Sequence, residues 1–480
     1  MSEQKRPNIV LICADQWRGD CLGAAGHPAV ETPYLDDMCL YGTRFTAAYS
    51  ATPSCISARA ALMTGLSQRS HGRVSYEDSV TWNYETYLAD EFTRHGYQTQ
   101  AIGKMHVFPE RSQCGFQNVI LHDGYLHASR ARGGVRLELN DDYIQWLREK
   151  SGNPTADYFD HGLNCNGFVV RPWDKAEELH RTNYITTQAV DFLRRRDTRK
   201  PFFLYLSYHR PHPPLDPPAW ALEQYLDKEL PPPPCGAWSE QFSSHHTPQR
   251  SDLFSGRLTP QKQHRAQAGY YGSMTHIDHQ LNRLREAIID YGLLGETIFC
   301  FTSDHGEMLG DHDLYRKGVA YEGSAKIPLV FRGPGIPMGN VSGVPAELRD
   351  LMPTLLDLAG LPIPEVVEGE SLVRAMQGER DGFKSYIHGE HGALGQAMQW
   401  LTDGEWKYIW LSNDGIEQLF NLKSDPQELY DLAAAEPQKL AEWRGRLIEE
   451  LTGREEGFVE GGKLVCGRPY RASLSHIRTV

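Results

Sequence analysis

Four polar clusters each stand directly behind an apolar, strand-like run. Asp15-Gln16 follows residues 8–13, and Lys104 with His106 follows residues 99–102. His209 and His212 follow residues 202–207, and Asp304-His305 follows residues 297–302. In an open parallel sheet, ligands bind beyond the carboxyl ends of the strands. The spacing therefore predicts that these distant clusters converge on one edge. Their chemistry is complementary. Asp15, Gln16, Asp304 and His305 offer carboxylate, amide and imidazole groups, which suit a hard divalent cation such as calcium, magnesium or manganese. Lys104, His106, His212 and Lys317 offer cations or donors. A metal with several cationic donors is what a transferring phosphoryl or sulfuryl group needs.

Cys55 precedes a helix-like segment, Ser57-Ala58-Arg59-Ala60-Ala61-Leu62-Met63, that stops at Gly65. A helix N-terminus presents unpaired N–H groups and a positive partial charge, favouring an oxyanion and acidifying a thiol. Arg59 lies four residues on, so its side chain shares a face with Cys55. Taken singly, these residues have ordinary readings: a buried thiol for Cys55, a strand-end turn for Asp15-Gln16, a solvated side chain for Lys317. For Asp15-Gln16, the equivalent placing of Asp304-His305 points beyond the ordinary reading to a metal site. His209 reads as a supporting or structural residue, and His71 as a residue at the site edge. Arg130, Arg132 and Arg136, in a glycine-containing stretch, are candidates for reading an anionic substrate.

The elements that must position these groups alternate strand-like runs with helical patterns at residues 86–95, 182–195, 266–291 and 347–359. This is the signature of a mostly parallel sheet sandwiched by helices, an α/β fold. Residues 120–180 and the proline-rich 210–260 look irregular, and loops of that length shape sites or interfaces. After Pro362 the pattern changes to strand-like alternation over residues 385–425, then a helix over Pro437 to Leu451. The expected division is a catalytic domain at 1–375, a smaller α+β domain at 376–452 and a tail at 453–480 that wraps a surface of this chain or of a partner.

The chain has 480 residues, 40% hydrophobic and 23% charged, with a net charge of −13. The acidic balance argues against nucleic acid or an acidic membrane as partner. No apolar run reaches membrane-spanning length, and the start of the chain shows no signal segment, so a cytoplasmic location is expected. Nine scattered cysteines without a C-x-x-C pair form neither a disulfide framework nor a zinc ribbon.

The Cys55 segment resembles the signature of the sulfatase family, Cys-x-Pro-x-Arg followed by a small-residue helix and Thr-Gly, here Thr64-Gly65. Other blocks match in the family's order over residues 7 to 360: Pro7 to Ile12 before Asp15, Gly103-Lys104-Met105-His106, Pro211-His212-Pro213, Ser303-Asp304-His305-Gly306 and Lys317 to Gly323. The resemblance implies an alkaline-phosphatase-like fold and conversion of Cys55, by a maturation enzyme, to formylglycine. One hydroxyl of the hydrated aldehyde attacks sulfur. The other is deprotonated, with His106 as the candidate base, and expels sulfate. By the match, Asp15, Gln16, Asp304, His305 and the converted Cys55 hold one divalent metal. Arg59 and Lys104 hold the nucleophile, and His212 and Lys317 contact the ester.

Two departures stand out. The signature's third position is Ser57, where the family usually has proline or alanine. The metal pairs are Asp-Gln and Asp-His, as in the branch that includes choline sulfatases and phosphonate monoester hydrolases. Calcium is the first expectation for the metal, with manganese favoured by the histidine and magnesium also considered. The expected reaction is hydrolysis of a sulfate monoester, of an aryl alcohol or a sugar. The competing readings are a phosphonate monoester or phosphodiester hydrolase on the same scaffold, and an anion-binding homologue in which Cys55 stays a thiol. A homo-oligomer is compatible with the sequence.

Overall fold

The computed structural model describes residues 6–126, 140–247 and 250–478; Arg130, Arg132 and Arg136 lie outside them. In chain order the strands are β1 (Asn8–Asp15), β2 (Thr43–Phe45), β3 (Ala48–Tyr49), β4 (Gln98–Gly103), β5 (Asn118–Leu121), β6 (Phe202–Pro211), β7 (Thr297–Ser303), β8 (Leu329–Arg332), β9 (Asn340–Ser342), β10 (Ala346–Glu347), β11 (Ile387–Ala393), β12 (Gln396–Thr402), β13 (Trp406–Leu411), β14 (Glu417–Asn421), β15 (Val459–Glu460) and β16 (Lys463–Leu464). Eight of them form one sheet, ordered β5-β4-β6-β1-β7-β8-β2-β9. The five strands from β5 to β7 run parallel, and β8 is antiparallel to both its neighbours.

Strand β1 shows why the sheet is central. Ile9, Leu11 and Cys13 enter one hydrophobic cluster, while Val10, Ile12 and Ala14 enter another. Side chains alternate across a strand, and both faces are apolar here, so helices must cover both. One face receives the Cys55–Thr64 and Leu351–Leu358 helices; the other receives the Arg181–Arg195 and Pro260–Asp290 helices.

Strands β4, β6, β1 and β7 are adjacent, and each polar cluster lies at or just beyond the carboxyl end of one of them. The expected convergence is thereby realised. The β1–β6 register slips between Ala14 and Asp15, where Asp15 pairs with Pro211. The slip leaves His209 and Arg210 out of the ladder, and the His212 amide donates to the Asp15 carbonyl at 3.0 Å.

A second, antiparallel sheet orders β11-β12-β13-β14. Met398, Trp400 and Ile409 pack toward Tyr49 and Tyr321, whereas Leu401, Tyr408 and Trp410 pack against Trp443 and Leu447 of the Pro437–Leu451 helix. Among the described residues, no helix is long and apolar enough to cross a membrane.

Three expectations need correction. The stretch read as irregular from residue 120 holds a helix, Asp142–Ser151, whose cap Asp141 accepts from the Tyr143 amide. It buries Tyr143, Ile144 and Leu147. The long helix starts at Pro260, not Ala266, because Thr259 caps it and proline suits its first position. The helix expected from Glu347 begins at Leu351, because Glu347 and Asp350 are spent on a capping box around a short 3-10 turn.

Candidate active site

Cys55 opens the Cys55–Thr64 helix. Ser54 before it is extended, with φ −151° and ψ 149°, and Gly65 closes the helix at φ 69°. Glycine reaches that left-handed conformation without a Cβ clash. The thiol is 2% exposed. Its Sγ lies 3.2 Å from His305 Nε2 and donates to Asp15 Oδ1 at 3.7 Å. One ligand atom from each of Asp15, Cys55, Asp304 and His305 falls within 4.8 Å of all the others.

Those four donors converge, buried, from three separate elements: the end of β1, the residues just after β7 and a helix start. Two carboxylates, an imidazole and a sulfur atom fit a divalent cation. With the conversion of Cys55 that the resemblance implies, an oxygen would stand where Sγ is. Gln16, the remaining expected donor, borders this set. Its carboxamide oxygen accepts from Lys317 Nζ at 2.6 Å, its amide nitrogen donates to Glu307, and its backbone N–H donates to Asp304 Oδ1 at 3.1 Å. Chelation of the purified protein is expected to lower its melting temperature, and the added ion to restore it. A ligand at a hundred times its Kd stabilises by about 2.7 kcal/mol. Identical melting curves with and without chelator would contradict a bound ion.

Lys104 Nζ contacts Asp15 Oδ2. Burial alone would raise the Asp15 pKa, but Lys104, His212, His305 and Arg59 hold it well below the usual carboxylate range. Burial and Asp15 both oppose ionisation of Cys55; Lys104, Lys317 and His305 outweigh them, and the thiol pKa is lowered.

Arg59 takes a place that helical spacing did not foresee. Its guanidinium is wholly buried and pairs with Asp304 at 2.9 Å. It also donates to the Lys104 carbonyl at 2.8 Å, Tyr205 at 3.0 Å and Ser207 at 2.7 Å. It therefore supports Asp304 and β6 from below the metal-ligand set.

A cavity of about 530 Å3 opens onto Cys55. Lys104, His106, His209, His212 and Lys317 line it, together with the apolar side chains of Tyr76, Tyr125, Leu126, Phe254 and Leu394. Asp123 accepts from the Met105 and His106 amides at 2.7 and 3.0 Å and so sets this turn. His212 Nδ1 donates to the Pro213 carbonyl at 2.7 Å, and burial, then Lys317, push the imidazole well below its ordinary pKa. His209 Nδ1 accepts from Arg210 at 3.0 Å.

Behind this wall, Asp216 binds two arginines. Its carboxylate accepts from Arg210 Nε at 2.6 Å and Arg181 Nη2 at 3.0 Å, while Arg210 also donates to the His212 carbonyl at 2.9 Å. His71 is not at the site edge. Its Nδ1 accepts from the Arg73 amide at 3.1 Å, within a turn, and burial lowers its pKa to about 3.

Sequence reasoning missed four residues here. Glu307, three positions after Asp304, fixes the loop by accepting from Gln16 and from the Leu309 and Arg316 amides. Its signal was an acidic residue directly after the Ser303-Asp304-His305-Gly306 block. Asp123 carried a comparable hint, following a short strand. Asp216 and His391, which also lines the cavity, gave no local signal.

The family model "Sulfatase" matches residues 7–361, and "N-sulphoglucosamine sulphohydrolase, C-terminal" matches residues 310–456. An "Arylsulfatase" of Clostridium perfringens is 48% identical, covering 98% of this chain and 100% of its own length. "Arylsulfatase K" of Homo sapiens is 29% identical, over 90% of this chain and 80% of its own. Among solved structures, the phosphonate monoester hydrolase of Agrobacterium radiobacter superposes with TM-score 0.77 at 25% identity, covering 92% of this chain and 95% of that one. A protein solved with its substrate D-glucosamine-2-N,6-O-disulfate gives TM-score 0.74 at 21% identity, with 93% and 98% coverage.

Proposed function

The chain belongs to the sulfatase family, and from that premise we propose that it hydrolyses a sulfate monoester to an alcohol and inorganic sulfate at Cys55. The carrying observation is the position of Cys55, buried at a helix start, within reach of His305 and Asp15, and open to a cavity that Lys104 and Lys317 line. When present, the metal supplies Lewis-acid polarisation and the formylglycine supplies a hydroxyl nucleophile.

The chain's own residues do the rest. Asp15, Asp304 and His305 would hold the metal, with Arg59 fixing the Asp304 carboxylate. Lys104 brings positive charge beside the nucleophile and fixes Asp15. Lys317 donates to Gln16, and its remaining N–H bonds can meet an anionic ester oxygen. Because His212 Nδ1 is committed to the Pro213 carbonyl, Nε2 is the atom left to address the leaving oxygen. His106, lining the same cavity, is the candidate base for expelling sulfate.

The apolar lining favours an aryl or sugar ring as the leaving group. Relatives named arylsulfatase, and a neighbour solved with a sulfated glucosamine, support that class. Calcium suits the paired carboxylates, with manganese the competitor that His305 favours. The unpaired state of all nine cysteines supports a reducing compartment such as the cytoplasm.

A phosphonate or phosphodiester substrate is the second reading, favoured by the likeness to a phosphonate monoester hydrolase. Both ester types carry a single negative charge, so the same cations could serve either. A panel of aryl sulfate, sulfated sugar, choline sulfate and aryl phosphonate separates them. The matured protein should show its highest kcat/KM on a sulfate ester. Phosphonate cleavage faster by orders of magnitude would overturn the assignment.

A further inference from the structure

The C-terminal tail returns to the segment beside the active-site cavity. Past the Pro437–Leu451 helix, the Gly467 amide donates to the carbonyl of Ser412, just after β13, at 3.0 Å. Farther on, the Val74 and Ser75 amides both donate to the Ala472 carbonyl at 3.0 Å, and the Leu474 amide donates to the Gly72 carbonyl at 2.8 Å. Arg478 then pairs with Glu77 at 2.8 Å. The tail is thus stitched to the segment that follows the nucleophile helix and carries Tyr76, a cavity residue.

Tyr470 sits in the middle of this strap. Its ring lies against Gly392 so closely that a Cβ there would fall 1.7 Å from Tyr470 Cζ. Its hydroxyl donates to Ser75 Oγ at 2.9 Å, and the Gly392 amide donates to the same oxygen at 3.3 Å. Both acceptor positions of Ser75 Oγ are therefore taken, and its hydrogen must go elsewhere. Both ring nitrogens of His391 lie 3.3 Å away. Its Nδ1 must donate to the Gly392 carbonyl at 2.7 Å, because a carbonyl only accepts. That leaves Nε2 to receive the Ser75 hydrogen. The hydrogen-bond chain runs from Tyr470 through Ser75 to His391.

His391 in turn forms the cavity wall beside the lysine block, where a Cβ on Gly318 would come within 2.9 Å of its ring. We propose that Tyr470 is a positioning residue for substrate binding: through Ser75 it locks His391 and thereby the wall facing the leaving group. The proposal rests on the sulfatase reading for what is bound, not for the hydrogen-bond chain itself.

The test compares parent, Tyr470→Phe, Ser75→Ala and the double variant on an aryl sulfate. Tyr470→Phe should raise KM about three- to tenfold, what one neutral hydrogen bond is worth. It should leave kcat within about twofold, because no group near Cys55 moves. The Ki of inorganic sulfate should not change, because the sulfatase reading puts sulfate against Lys104 and Lys317, and the melting temperature should fall by no more than one hydrogen bond is worth. The double variant should match the single variants, because both cut one chain. An unchanged KM, additive effects, or a Ki that rises in step with KM would each overturn the proposal. If the parent turns over no sulfate ester, the reaction assignment fails instead. The relay is then decided by 15N-histidine spectra: a shifted His391 Nε2 signal in Tyr470→Phe supports it, and an unmoved signal overturns it.

Discussion

Cys55→Ala is expected to reduce sulfate ester turnover by about ten-thousandfold or more, the order lost when a covalent nucleophile is removed. The fold should survive. The thiol is a small group at a helix start, and the helix is held by its other residues: Ile56, Ala58, Ala60, Leu62 and Met63 all sit in the core. The residual rate should reflect only the remaining charges and the cavity. Metal binding is expected to weaken as well, because Cys55 supplies one of the four converging ligand atoms. Turnover within about tenfold of the parent would remove Cys55 from the chemistry and leave the buried cluster without its proposed purpose.

Asp216→Ala carries the largest expected loss of stability, about 3–5 kcal/mol, the cost of removing one partner from a buried ion pair. Arg181, Arg210 and Asp216 are all at most 1% exposed, and the carboxylate accepts from both guanidiniums. Deleting it leaves two positive charges facing each other out of water. Burial and the neighbouring Arg181 already lower the Arg210 pKa in the intact protein. The damage should reach the active site, because Arg210 also bonds His209 and the His212 carbonyl. Denaturant midpoints compared at constant slope measure the loss. A change below about 1 kcal/mol would mean that water or another anion satisfies the arginines.

The two expectations differ in how far the sequence foretold them. Cys55, Asp15, Lys104 and Asp304-His305 were legible because each follows an apolar run or opens a helix pattern. Parallel sheets place ligands at that edge as a rule. The Pro437–Leu451 helix was legible from periodicity, and its observed limits match the expected ones.

What escaped depends on pairings across the chain. Asp216 works through Arg181, 35 positions earlier. Tyr470 reaches Ser75 across 395 positions, and no local pattern marks either pair. Strands β2 and β9 span three residues each, too few for alternation to show. Arg59 was placed on the correct face, but its length carried the guanidinium past Cys55 to Asp304. Ser57, a departure in the signature, has a role in the folded chain. Its hydroxyl donates to the Ser75 carbonyl at 2.6 Å, tying the nucleophile helix to the segment that the tail also holds.

The central claim concerns the chemical state of Cys55, and the peptide containing it gives the most direct test. Mass spectrometry of protein from its native host should find that peptide lighter by about 18 Da than its cysteine form, the change from thiol to aldehyde. The shift should vanish in Cys55→Ala. A peptide found wholly at the unmodified cysteine mass, in protein that still releases sulfate, would contradict the account.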